Sequence, residues 1–263
     1  MTKIETIQDR DKRLFAITEG IHIKNPDALR GTKFEKTTAV MASLIDRMGF
    51  LKTGILDMAE TDNLYSVNVL FRAFLEHILK VNALFLKAVN ELSDTFAEKY
   101  LQLQIVEAFK YLKAYKAAGL EIGEDPKTVL DQWFPMAKSL SNTDVGKLED
   151  PFRYRELIRT INGLINTHGP NFLDKIIPNY SELSGFVHGG PTAEQVLAQF
   201  YETSTRQDEL LRIADLTVSM FYSAERWLLI LASTVCSEFK PVCDALDYAI
   251  RSEEVGRSGA PCS

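Results

Sequence analysis

A chain of 263 residues that is 46% hydrophobic and 25% charged has enough apolar side chain for a full core, which excludes disorder over most of its length. Its net charge of −6 and pI of about 5.4 argue against a protein that coats nucleic acid through a general excess of Lys and Arg, while leaving room for a local basic groove. Of the three cysteines, Cys236 and Cys243 stand two turns apart on a predicted helix, a rise of about 10 Å that no disulfide spans. Free thiols and a reducing, cytoplasmic setting are expected.

The N-terminal segment 1–13 is charged and lacks an apolar h-region, so no signal peptide is expected. Segment 33–60 carries Phe34, Val40, Met41, Leu44, Ile45 and Met48 at three and four spacing, which predicts a helix. Gly49 and Gly54 inside it mark a bend or a close helix contact. Asp62 is the expected cap of a second helix over 63–89, and a third long helix is predicted over 93–118, closed by Gly119. Segment 120–151, with Gly123, Pro126, Pro135 and a polar run at 139–144, is expected to be a loop-rich excursion with one short helix at 127–134.

Helical pattern resumes at 152–166 and closes at Gly169-Pro170. Short helices or turns are predicted at 172–177, at 181–188 before Gly189-Gly190, and after Thr192 to 201. A long helix over 208–239 and a last one over 242–251 follow, with a flexible tail at 252–263. The most apolar stretch, 227–236, is half the length of a membrane span, so none is expected. Alternation and hairpin turns are absent. The pattern predicts an all-α multi-helix bundle with long central helices, one domain over 1–251.

Two polar stripes stand out. The helix 63–89 is apolar almost all round, as a central helix is, except for Tyr65, Asn68, Arg72 and Glu76. Arg72 and Glu76 are four apart and share a face. They are either a buried pair that fixes helix register or the charged floor of a cleft. Tyr180, Ser184 and His188, again spaced by four, form a second stripe among Leu183, Phe186 and Val187. Buried polar groups seek partners, so the two stripes are expected to pack against one another. No pair of Glu-x-x-His motifs is present, and no His-Glu-x-x-His, Cys-x-x-Cys, P-loop, Gly-x-Gly-x-x-Gly or Gly-x-Ser-x-Gly occurs, so neither metal nor cofactor is expected.

Arg72-Ala-Phe-Leu-Glu-His77 reads R-x-x-x-x-H and resembles the motif of the HEPN superfamily of helical bundles, although Ala73 stands where that motif usually has a polar residue. Many members are metal-independent ribonucleases of bacterial toxin and phage-defence systems and act as homodimers. The resemblance implies that Arg72 stabilises phosphate charge and that His77 serves as acid or base, with RNA as substrate. His188 could equally fill the His role. Arg72-x-x-x-Glu76 followed by Tyr180-x-x-Leu183-Ser184-x-x-x-His188 also resembles an uncharacterised group of bacterial all-helical proteins known only as a domain of unknown function. The candidate site residues are therefore Arg72, Glu76, His77, Tyr180, Ser184 and His188. A non-enzymatic helical binding module, or the partner of another protein, is the alternative to a ribonuclease. The aromatic-rich stretch 109–115 and the central helix are the candidate dimer faces.

Overall fold

The computed structural model describes residues 3–19, 27–119, 131–165 and 205–258, with single positions at 173, 176, 177, 180, 183, 184, 194, 195, 198 and 199. Among these, every regular element is helical and no strand occurs. The helices are α1 (Lys3–Thr18), α2 (Glu35–Glu60), α3 (Leu64–Glu91), α4 (Thr95–Leu101), α5 (Leu103–Ala117), α6 (Phe134–Ala137), α7 (Asn142–Glu149), α8 (Tyr154–Leu164), α9 (Arg206–Ser233) and α10 (Lys240–Ser258).

The central position of α3 follows from its composition. It buries Leu64, Phe71, Phe74, Leu75, Ile78 and Val81 completely, and no single stripe holds them all. It packs against α2, α8 and α9, and α2 also packs on α9. The two glycines of α2 serve these contacts. A Cβ at Gly54 would stand 3.2 Å from Leu70 Cδ1 on α3, and one at Gly49 would stand 3.7 Å from the Phe221 ring on α9. Side chains of α1, α2, α3, α4, α8, α9 and α10 share one apolar core, to which Leu173, Ile176 and Leu183 contribute. A separate small cluster joins Ile105 and Ala108 of α5 to Phe134 and Ala137 of α6.

Several elements differ from the sequence expectation. The charged N-terminal segment forms α1, which buries Ile7, Arg10, Leu14 and Thr18 along one narrow stripe. Asn63, not Asp62, caps α3: its Oδ1 accepts the Ser66 N–H at 3.1 Å. Asp62 instead adopts a positive φ of 59° and pairs with Arg206 at the start of α9. The helix expected over 93–118 is broken at Gln102 into α4 and α5. Asp94 at its start reaches across to α2, where its carboxylate accepts the N–H groups of Lys36 and Thr37 at 2.8 and 2.9 Å. These are donors that a helix start leaves without an internal partner.

The described part of the excursion, 131–151, is more helical than expected. A capping box starts α7: Ser141 Oγ accepts the Asp144 N–H and Asp144 accepts the Ser141 N–H. Part of the aromatic stretch named as one candidate dimer face packs within the chain. Phe109, Tyr111 and Leu112 pack on the α5–α6 cluster, and Tyr111 stacks on Phe134 at 5.9 Å. Helix α9 stops at Ser233, short of 239, and α10 continues past Arg251 to Ser258, into the segment expected as tail. Among the described residues no helix is long and apolar enough to cross a membrane, and Cys236 and Cys243 are free thiols.

Two ion pairs bind α1 to the bundle. Arg10, 6% exposed, donates to Asp215 Oδ1 at 2.8 Å and to Ser219 Oγ at 3.1 Å on α9. Lys52 of α2, 5% exposed, pairs with Asp11, and the Tyr222 hydroxyl donates to the same carboxylate at 2.8 Å. Burial first, and then the Asp11 carboxylate, push the Tyr222 phenol far above its ordinary value.

Candidate functional site

The first stripe faces out of α3 where Tyr180 lies over it. Arg72 Nη1 and Glu76 Oε1 are 2.6 Å apart, with side-chain exposures of 14% and 39%. Arg72 Nη2 donates to the Tyr180 hydroxyl at 2.7 Å, and that hydroxyl donates to Glu76 Oε1 at 3.0 Å. The three side chains close a ring in which each touches the other two. The guanidinium also lies 4.4 Å from the Tyr180 ring centroid. On its other face Tyr180 stacks on Tyr154 of α8, centroids 3.6 Å apart and planes 9° from parallel. A layered column of guanidinium, phenol and phenol thus connects α3 to α8.

Electrostatics follow from that geometry. Burial would raise the Glu76 carboxyl, but the bond and charge of Arg72, the Tyr180 hydroxyl and Lys80 outweigh it and hold the group below its ordinary value. Burial and the Glu76 carboxylate push the Tyr180 phenol up to about 12. Burial raises Tyr154 as well, against the opposing charge of Arg72. Arg72 Nε and the Tyr154 hydroxyl are buried with no hydrogen-bond partner among the described residues.

The expected packing of the two stripes is found for Tyr180, which bonds to both Arg72 and Glu76. Ser184 is half-buried and stands outside this ring. His188 lies outside the described residues. His77 does not join Arg72, because five residues turn a regular helix by about 140° beyond a full turn. Its Nδ1–H donates to the Ala73 carbonyl at 2.8 Å, leaving Nε2 as the free ring nitrogen. Burial first, and then the charges of Lys80 and Arg47, hold His77 below its ordinary value despite the bond to Ala73 and the charge of Glu76.

Beside the column lies a cavity of about 200 Å³ whose lining includes Glu76, Leu79, Lys80, Phe152, Tyr154 and Tyr180. A second cavity of about 260 Å³ lies on Leu103, Val106 and Glu107 and shares Lys80, Phe152 and Arg153 with the first. Lys80 is half-buried on the wall common to both. Burial lowers its ammonium, against the charges of Glu76 and Glu107 and together with that of Arg47. Sequence reasoning passed over Lys80 although it stands four residues beyond Glu76 and continues the stripe of Asn68, Arg72 and Glu76. Tyr154 gives no local signal at all, since its role comes from a neighbour far along the chain.

No group of His, Cys, Asp and Glu among the described residues could hold a metal ion. No family model, curated protein or solved structure matches the chain.

Proposed function

We propose that this protein is a non-enzymatic helical binding module that takes a small ligand in the cleft between α3 and α8. The observation that carries this is the engagement of Arg72. Both of its terminal nitrogens are committed to Glu76 and Tyr180, so the residue builds a wall and does not present a cation to a substrate. The wall continues through the Tyr154 stack and bounds a cleft with apolar sides and few polar groups, the usual make-up of a ligand pocket. The test is NMR with a set of small aromatic and acidic compounds. Binders should shift the Tyr154 and Tyr180 ring signals and the Leu79 and Leu157 methyls. A set in which nothing perturbs those signals would remove the proposal.

A second reading keeps the ribonuclease. It is favoured by His77, whose Nδ1–H is held by the Ala73 carbonyl so that Nε2 is left to accept a proton, in the field of the cations Arg47 and Lys80. A neutral imidazole suits proton abstraction from a 2′-hydroxyl, and the cations suit phosphate charge. RNA cleavage by the wild type that His77→Ala abolishes without lowering the melting temperature would favour this reading. No cleavage by the wild type would leave the binding module.

A further inference from the structure

We infer that the ligand of the α3–α8 cleft carries a carboxylate or phosphate on a flat apolar body, with Lys80 as the anion's anchor, which rests on the binding-module reading above.

The first reason is how other buried or half-buried cations among the described residues are treated. Arg10 is paired with Asp215, Lys52 with Asp11 and Arg72 with Glu76. Lys80 is withdrawn from water as well, yet makes no hydrogen bond or ion pair among the described residues. A half-buried cation without a counterion is unfavourable, and an arriving anion would relieve it. The carboxylate nearest in sequence, Glu76, has its Oε1 held by both Arg72 and Tyr180 and is the wall of the cleft. Glu107 is exposed on α5 and acts on Lys80 only through space.

The second reason is shape. The first cavity sets the ring of Tyr180, already part of a stack, beside Tyr154, Phe152, Leu79 and Leu157, so its apolar walls suit a single planar ring. Its volume of about 200 Å³ is below that of a pocket for a drug-sized molecule, which limits the body to about one ring with a substituent. Arg153 lines both cavities and adds a second cation at the mouth, itself bonded to Asp150 at 2.8 Å.

The experiment is calorimetric titration of the full chain with three probes of one shape: benzoate, phenyl phosphate and neutral benzamide. Benzoate or phenyl phosphate should bind at least tenfold tighter than benzamide, and whichever binds tighter identifies the anion. Lys80→Met should abolish the preference, bringing the anions to the affinity of benzamide, with unchanged or higher melting temperature because an unpaired charge is removed. The comparison of probes on the wild type needs no variant to fold. Benzamide binding as well as the anions, or Lys80→Met retaining the preference, would overturn the anion anchor and leave the binding module standing. No binding by any of the three would overturn both.

Discussion

Tyr180 puts one hydroxyl between a guanidinium and a carboxylate, and it can be removed without disturbing the ring stack. Tyr180→Phe should therefore cost about 1.5–3 kcal/mol, the worth of hydrogen bonds to charged groups. Arg72→Ala should cost about 1–3 kcal/mol. That is less than the breaking of a fully buried pair, because Glu76 is 39% exposed and can regain water. Thermal or urea melts of the two variants check both values. The ring also imposes a pH dependence. Glu76 is depressed in the folded state, so its contribution is complete above the ordinary carboxylate range and is lost as pH falls through the folded value. His77 is depressed too, so the unfolded chain takes its proton first and stability begins to fall below about pH 6.5. In a pH series of melts, His77→Gln should flatten the upper part of the acid limb and Glu76→Gln the lower part. A variant profile that parallels the wild type would contradict the assignment. The Arg72–Glu76 pair was legible in the sequence because spacing by four on one helix is local. Tyr180, 108 residues from Arg72, was legible as part of a second polar stripe expected to pack on the first, whereas Tyr154 gave no signal because it meets Tyr180 only through the packing of α8.

At the scale of elements, α1 shows how a helix with little apolar surface is retained. Its buried apolar residues, Ile7 and Leu14, are few, and the specific hold comes from Arg10–Asp215 and from Asp11 with Lys52 and Tyr222. Lys52→Met leaves the Asp11 carboxylate buried with one hydroxyl donor and should destabilise by about 3–5 kcal/mol. Adding Asp11→Leu should recover most of that loss, since an apolar pair of similar volume replaces the ion pair. Chemical melts of the single and double variants measure the recovery. A double variant as unstable as the single one would mean that the pair does more than hold α1. Neither the helix nor its charged attachment was expected from the sequence, because its apolar stripe is one residue wide. The capping box of α7 was missed differently: Ser141 and Asp144 are three apart, a local signal hidden inside a polar run.

At the scale of the molecule, most buried apolar side chains among the described residues belong to a large core or to a small cluster. The large core spans α1, α2, α3, α4, α8, α9 and α10, and residues of α2, α3 and α9 supply most of its completely buried members. The small one rests on Ile105, Ala108, Phe134 and Ala137. Opening free energies scale with the apolar contact that must be broken. Amide hydrogen exchange should therefore be slowest in α2, α3 and α9 and faster by orders of magnitude in α5, α6 and α7. Equal protection in the two regions would show that they open together.

The sequence by itself determined the all-α class, the long helices around an apolar central one, and the Arg72–Glu76 pair. Each depends on periodicity or spacing within a few turns, which the helix converts directly into geometry. Beyond the contact of Tyr180 with Arg72 and Glu76, which the two polar stripes implied, the tertiary structure alone decided the long-range partners. It turned the stretch 109–115 onto the chain's own excursion, sent Asp94 to the start of another helix, and set His77 away from Arg72. It also left Lys80 on the wall of a cleft, flanked by residues from α3, α5 and α8. These outcomes depend on how whole helices pack to bury apolar surface, a property of the assembled chain that no local spacing encodes.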